Sequence, residues 1–415
     1  MRNERLAVWL HGRHIAWLSG TSLRPRLQYL PDVVAEYGAG AALLSLSLPL
    51  QSKPLTGPSV LNFFDGLLPE GQVRAHLADL NKVATTDIKA LLAIVGSDCA
   101  GAVQVLAEGV DPAGAGELLP MSDAEVVAAV ESLPTWDLPA DFAITTSLGG
   151  VQSKILLSRE GGRWYWPAGG VASTHIIKPD PLDSPIPNLL AAEHWALDLA
   201  RAAGLAAAVT RMDRFGTRDA LVVDRYDRTT DHRRIHQEDF TQVLGLASAA
   251  KYDQSTAVPS RLTQVAAVAA PHARNAMSFK LDLLRAVSFN LLIGNGDAHS
   301  KNYSVLIRET GEVTLAPLYD AAPTLLLYAR SSNAGHSVAG QARLNYITLD
   351  HLVREAANWG VDAGAARSTV TEVLTAAAEA QVPAADELQH LPSLVADRAS
   401  DLLAGDVARR QSVPD

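Results

Sequence analysis

The chain reads as an α+β protein: a small α+β domain, then a small β-rich lobe, then a larger helical lobe. Three observations predict this. Residues 141–235 give the order strand, strand, strand, helix, strand, strand from apolar alternation and turn residues. Beyond residue 236 the pattern turns mostly helical, broken by one polar loop and one hairpin. Ahead of both, residues 1–125 carry short strand-like and helix-like runs between glycines and prolines. The expected domains are 1–125, 126–235 and 236–415, the first boundary resting on proline punctuation between 118 and 140.

Each element has a local cause. "RLAVWLHGRHIAWLS" places two apolar runs around a glycine turn, a hairpin signal. The run from Pro69 predicts a helix with Glu70 in its first turn, where a carboxylate favours the helix dipole. "TTDIKALLAIVGSD" predicts a Thr-capped helix that stops at Gly96. "ELLPMSDAEVVAAVESLPTWDLPAD" contains a short capped helix between proline-bearing segments. "KILLS" and "RWYWP" flank "REGG" as a hairpin, and "STHIIKPD" is a third strand stopped by Pro179. A helix should run from Asn188 to Gly204, followed by a second hairpin around Phe215–Arg218. "MSFKLDLLRAVSFNLLIGN" is a long amphipathic helix, and "YSVLIRETGEVTLAPLYD" a hairpin turning at Glu309–Glu312. Residues 347–410 read as helices.

Composition sets limits. A chain of 415 residues, 48% hydrophobic and 19% charged, can bury a sizeable core. The net charge of −10 argues against broad non-specific contact with nucleic acid. A single cysteine, Cys99, rules out an intrachain disulfide and a thiolate metal cage. No apolar run nears the roughly 18–20 residues of a membrane helix, and the start lacks a signal-peptide core. A cytoplasmic protein without membrane contact is the expectation.

The polar residues carry the chemistry. Three strands, a helix, two strands, helices, a polar loop, a hairpin and an Asp is the element order of a protein kinase. In "IGNGDAHSKNYSVL", Asp297 and Asn302 have the D-x4-N spacing of a kinase catalytic loop, whose Asp orients the substrate hydroxyl and whose Asn holds magnesium. Asp320 follows the next hairpin, the place of the metal-binding Asp. Lys178 ends the third strand and Glu193 lies in the following helix, the places of the paired lysine and glutamate. "SLGGVQSK" stands before the first hairpin, where Gly149 and Gly150 would let backbone N–H groups approach phosphates and Lys154 would add positive charge. "VDRYDR" sits where a hinge would meet adenine.

Plainer readings compete. Asp297 and Asn302 alone describe a solvated turn. His299, two residues after Asp297, suggests a D-x-H metal pair, but no second His cluster supports zinc or a metal-dependent phosphohydrolase. Lys178 and Glu193 also fit a surface ion pair. Cys99 reads as a small buried hydrophobe. Trp164 and Trp166 are expected to have one ring packed and one exposed, and "DHRRIH" at 231–236 to be a solvated loop.

Taken in order, "SLGGVQSK", "THIIKP", "ALVVDRYDR", "HQEDF", "GNGDAHSKNYSV" and "LYDAAP" resemble the HipA family of serine/threonine kinases, the toxins of HipA–HipB toxin–antitoxin pairs. "FFDGLLPEG" and "GSDCAGAVQV" resemble that family's N-terminal domain, so the resemblance covers nearly the whole chain. It implies a two-lobed kinase-like core using ATP and Mg2+. It implies Asp297 as catalytic base, Asn302 and Asp320 as magnesium ligands, and Lys178 as the ATP phosphate lysine. Gly149, Gly150, Val151, Gln152 and Lys154 would belong to the phosphate loop, and Glu193 would support the site. Backbone groups of Asp224 and Tyr226 would meet adenine, with Gln237 and His299 at further pocket positions. Ser147 matches the serine that the family autophosphorylates, which expels the loop and switches the kinase off; a dianionic phosphate there would also repel ATP. The implied partners are a HipB-like helix-turn-helix antitoxin, operator DNA through that antitoxin, a second copy within the antitoxin complex, and a protein substrate such as glutamyl-tRNA synthetase. Two departures stand out: Ser153 replaces a frequent acidic residue, and Ala192 replaces the Asn that usually precedes the helix glutamate. A second function class, a kinase-like binding module acting as co-repressor, fits the same resemblance; the intact Asp297, Asn302, Asp320 and Lys178 favour catalysis.

Overall fold

The computed structural model describes residues 5–112, 116–133, 149, 152–182, 184, 186–253, 259–328 and 333–408. The chain divides into two compact units, each assembled from separated segments. One holds Met1–Pro181, Met212–Ser248 and Leu306–Gly311; the other holds Leu182–Arg211, Ala249–Val305 and Glu312–Asp415.

The first unit opens with the expected hairpin. Leu6–Leu10 pairs antiparallel with Arg13–Thr21, and the turn residues His11 and Gly12 have φ of 50° and 75°. Positive φ at both positions matches the twist of the flanking strands. Five strands follow the order Leu55–Thr56, Arg24–Tyr29, Arg13–Thr21, Leu6–Leu10, Val103–Ala107. Helices Pro58–Gly66, Gly71–Leu80 and Ile88–Val95 complete this domain, and Phe63, Phe64, Leu92 and Val95 are fully buried in its core. The cap of the third helix is Asp87 rather than a Thr: it directly precedes Ile88, and its carboxylate accepts from the Ala90 N–H at 3.1 Å. Gly96 ends that helix as expected; a Cβ there would lie 2.4 Å from the Leu92 carbonyl oxygen. Cys99 is buried, as its type suggested.

The same unit contains a six-stranded sheet in the order Thr210–Phe215, Arg218–Asp224, His175–Pro179, Ile155–Glu160, Arg163–Ala168, Glu117–Pro120. Five of these strands are the predicted ones. The sixth, Glu117–Pro120, is an edge strand that pairs with Arg163–Ala168 and leads into the helix Asp123–Glu131, capped by Ser122 and Glu125. Trp164 and Trp166 are both buried in this domain's core, against expectation. Residues two apart on a strand share one face, so the two rings point the same way.

The second unit is mainly helical, with Leu189–Ala202, Arg261–Ala269, Ala276–Leu292, Leu349–Asn358, Ala363–Glu379 and Leu391–Leu403. Helix Ala276–Leu292 runs through its core, burying Leu283, Leu284, Phe289 and Leu292. At its C-terminal end, where carbonyls lack intrahelical partners, the buried Arg398 donates to the Leu291 and Leu292 carbonyl oxygens at 2.9 and 2.8 Å. A two-stranded sheet, Asn333–Val338 with Gln341–Arg343, lay outside the sequence expectations. The fold is thus α+β, with a domain ahead of the two strand-and-helix segments that carry the predicted site residues. No helix among the described residues is long and apolar enough to cross a membrane.

Candidate active site

In the helical unit, a ladder of side-chain amides fixes the polar loop that follows helix Ala276–Leu292. Asn290, buried inside that helix, donates to the Tyr303 hydroxyl at 2.9 Å and accepts from the Asn295 amide at 2.8 Å. The Asn295 carbonyl in turn accepts from the Asp297 N–H at 3.0 Å. On the other side, the Thr324 hydroxyl accepts from the Gly296 N–H at 2.9 Å. The backbone of Asp297 is therefore held from two directions.

The D-x4-N spacing has a direct geometric meaning. The His299 N–H donates to the Asp297 carbonyl at 2.7 Å, and the Asn302 N–H to the His299 carbonyl at 2.8 Å. These tight turns bring the Asn302 side-chain amide back to the Asp297 carbonyl at 2.9 Å. With its amide nitrogen so engaged, the Asn302 oxygen is the atom of that side chain able to ligate a cation. The Asp297 carboxylate is half exposed, with His299 Nε2 at 3.9 Å from Oδ1. Burial holds the His299 imidazole below its ordinary pKa, against the opposing pull of the Asp297 and Asp320 carboxylates.

Asp320 reaches the same place along the hairpin strands Ser304–Ile307 and Val313–Leu315. Its neighbour Tyr319 donates to the Lys301 carbonyl at 2.8 Å, and Leu318 bonds the backbone of Ala206 and Ala208 at 2.9 and 2.8 Å. Asp320 itself has φ of 48°, a left-handed conformation uncommon outside glycine and enriched for Asp and Asn. Such conformations cluster where structure has been shaped by a site. The unit thus brings together Asp297, His299, Asn302 and Asp320. Glu193 is buried on helix Leu189–Ala202.

The remaining predicted residues belong to the β-rich unit. Lys178 is buried on strand His175–Pro179, opposite Leu221. Asp224 ends the neighbouring strand, its carboxylate 3.2 Å from His175 Nε2. The Tyr226 hydroxyl donates to the Gln237 side-chain oxygen at 2.5 Å, and the Gln237 amide donates to Asp227 at 3.3 Å. Lys154 donates to the Gly149 carbonyl at 2.8 Å. The Gln152 amide nitrogen is buried with no protein partner among the described residues. Ser147, Gly150 and Val151 lie outside the described residues.

Sequence reasoning missed the structure behind the "VDRYDR" segment. Arg225, Asp227 and Arg228 are buried, and Asp98 of the N-terminal domain joins them. Asp98 takes Arg228 at 2.8 Å, Arg225 at 3.4 Å, Arg234, and the Ser173 hydroxyl at 2.6 Å. Asp227 holds Arg225 at 2.8 Å and accepts the Gly101 N–H at 2.7 Å. The arginines hold the Asp98 carboxyl far below its ordinary pKa and that of Asp227 down at about 2, despite burial. "DHRRIH" is accordingly no solvated loop at its end: Arg234 and His236 turn inward to Asp98 and to the Leu44 carbonyl. Nothing local distinguishes such charges from surface ones, since Asp98, the partner shared by Arg225, Arg228 and Arg234, lies far away in sequence.

Residues 6–106 match the HipA N-terminal domain, and residues 146–381 the HipA-like C-terminal domain. A Sinorhizobium fredii relative named "Putative kinase Y4mE" is 36% identical over 81% of each chain. The "Serine/threonine-protein kinase toxin HipA" of Shewanella oneidensis is 30% identical over 67% of this chain and 66% of its own. Among solved structures, the S. oneidensis complex of HipA, HipB and operator DNA contains a chain that matches with a TM-score of 0.77 and 25% identity, 96% of each chain being covered. The chain is a member of the HipA family of serine/threonine kinases.

Proposed function

We propose that this chain is an ATP- and Mg2+-dependent protein serine/threonine kinase acting as the toxin of a toxin–antitoxin pair in the cytoplasm. The observation that carries the reading is the assembly of Asp297, Asn302 and Asp320 around one loop, on a family member.

The donor set fits magnesium. Asn302 offers an amide oxygen, its nitrogen being held by the Asp297 carbonyl, and Asp320 offers a carboxylate, while no group of three or more His, Cys, Asp or Glu that could hold a metal ion occurs among the described residues. Two protein oxygens, with phosphates and water completing the shell, suit a small hard cation. The orphaned Gln152 amide and the buried Lys178 fit the phosphates of ATP. Asn302 and Asp320 would hold the metal, which when bound neutralises phosphate charge. Gly149, Gly150, Val151, Gln152, Lys154 and Lys178 would hold the phosphates, with Glu193 supporting them. The Asp224 and Tyr226 backbone, with Gln237, would meet adenine, and His299 would line the site.

Asp297 would orient the incoming hydroxyl and accept its proton as the oxygen attacks the γ-phosphorus. The bond from that phosphorus to the bridging oxygen breaks, and ADP leaves with the electron pair. Catalysis of this kind is positioning plus charge stabilisation. We further assign Ser147 as the autophosphorylation site, a HipB-like helix-turn-helix antitoxin as partner, and a translation component such as glutamyl-tRNA synthetase as substrate class. The functional segments would be 1–125, 126–235 and 236–415. A second reading, co-repression with the antitoxin, is favoured by the operator DNA in the S. oneidensis complex.

Phosphate transfer from radiolabelled ATP, followed by mass mapping, tests the reading. Asp297→Ala should abolish transfer while ATP still binds, and Asp320→Ala should lose magnesium-dependent ATP binding as well. Full transfer by Asp297→Ala would overturn the kinase mechanism; phosphate found only away from Ser147 would overturn the regulatory assignment.

A further inference from the structure

A short segment outside the recognised motifs is fastened against the catalytic loop. The Lys251 carbonyl accepts from the Ser300 N–H at 2.9 Å. Two residues on, Asp253 exchanges backbone hydrogen bonds with the Asn333–Val338 strand: its N–H donates to Gly335 at 2.9 Å, and its carbonyl accepts from Ser337 at 2.7 Å. Its carboxylate also accepts the Arg261 N–H at 2.9 Å, at the start of helix Arg261–Ala269. Residues 251–253 are thus pinned on both sides.

Tyr252 stands between these anchors. Its hydroxyl donates to Asp297 Oδ1, and its ring meets the His299 ring edge-on, centroids 4.9 Å apart at 85°. His299 is itself buried, which limits the ring's freedom. Both His299 Nε2 and the Tyr252 hydroxyl approach the same carboxylate oxygen, Oδ1. Oδ2 has no hydrogen-bond partner among the described residues.

We propose that Tyr252 is a positioning residue for phosphoryl transfer: it fixes the Asp297 carboxylate through Oδ1 so that Oδ2 faces the incoming hydroxyl. The proposal rests on Asp297 being the base. A carboxylate free to rotate about its χ2 bond presents its oxygens in many directions, and one charge-assisted hydrogen bond selects among them. Misplacement of a reacting group is costly even when binding is intact. The proton of the acceptor hydroxyl passes to Oδ2, and the phenol proton of Tyr252 stays where it is.

Steady-state ADP release from magnesium ATP, in the full chain, tests this with Tyr252→Phe. The variant keeps the ring and its contact with His299. Expected is a fall in kcat on the order of tenfold, with the KM for ATP and the melting temperature unchanged; Tyr252→Trp, which restores an N–H donor on an aromatic ring, should recover less than the parent. An unchanged kcat would overturn the proposal. So would a raised kcat, which would make Tyr252 an obstruction, or a fall in kcat matched by a higher KM and lower melting temperature, which would make it merely structural. Asp297→Asn separates the two levels. Full activity in that variant removes the base itself, whereas an inactive Asp297→Asn beside an unaltered Tyr252→Phe removes only the role of Tyr252.

Discussion

Asp98 and Arg228 form an ion pair of 2.8 Å in which both side chains are almost wholly shielded from water. The first belongs to the region matching the HipA N-terminal domain and the second to the region matching the C-terminal domain. Breaking a buried pair from one side leaves an uncompensated charge. Asp98→Asn should therefore lower the unfolding free energy by about 3–5 kcal/mol, read from urea denaturation at neutral pH. An unchanged midpoint would mean that water reaches the arginines.

The same cluster sets an acid limit. Asp98 and Asp227 have folded pKa values below their unfolded ones, so their stabilisation is present above the ordinary carboxylate range. It is lost as pH falls from about 4 towards the folded pKa, about 2 for Asp227. Chemical denaturation between pH 6 and pH 3 should show stability falling, and Asp98→Asn should flatten that fall.

Glu238 has the opposite sign. It is buried, accepting from the Ser45 hydroxyl at 2.6 Å and the Leu46 N–H at 2.9 Å. Burial raises its pKa to about 8 in spite of those donors. A raised carboxyl pKa means the fold prefers the proton, so stability is greatest below the unfolded value and declines as pH rises through 8. Glu238→Gln should remove this decline, making the variant more stable than the parent at pH 9 while near-equal at pH 5. Parallel pH–stability curves for the two proteins would refute this.

Gly335 packs its backbone on the loop that carries Asp297; a Cβ there would stand 2.3 Å from the Ala298 carbonyl atoms and 2.5 Å from His299 N. These neighbours are backbone atoms, so a methyl group fits only if the loop itself shifts. Gly335→Ala should reduce phosphotransfer by at least tenfold, while ATP binding to the protein is retained. Parent-level turnover in a folded Gly335→Ala protein would show that the loop can shift without cost.

Arg398 caps the helix that delivers this loop, and burial lowers its pKa to about 10. Arg398→Met keeps much of the apolar stem but strips two donors from the Leu291 and Leu292 carbonyls. A loss of about 2–4 kcal/mol is expected, seen as a lower thermal midpoint.

What the sequence made legible was local. The hairpin at His11–Gly12, the capped helix at Ser122 and the D-x4-N turn each depend on residues within a few positions of one another. The strand and helix order followed from those pieces. The burial of Arg225, Arg228 and Arg234 was not legible, because it depends on Asp98, placed beside them only by the completed fold. Tyr252 escaped notice for the same reason: its partner Asp297 lies on a different segment, and a tyrosine after a lysine has no signature of its own. The edge strand Glu117–Pro120 is too short for alternation to show, and the Trp164–Trp166 pair was misjudged by setting aside the two-residue repeat of a strand.

The interleaved build of the two units governs how the protein can come into being at the ribosome. The β-rich unit needs Leu306–Gly311 to be complete, and His11 in its first turn lies 3.8 Å from Glu309 of that segment. The helical unit begins at Leu182 yet closes only with its last helix, whose Arg398 reaches back to Leu292. The β-rich unit can therefore close once residue 311 has been made, whereas the helical unit must wait for Arg398, so the two are completed one after the other.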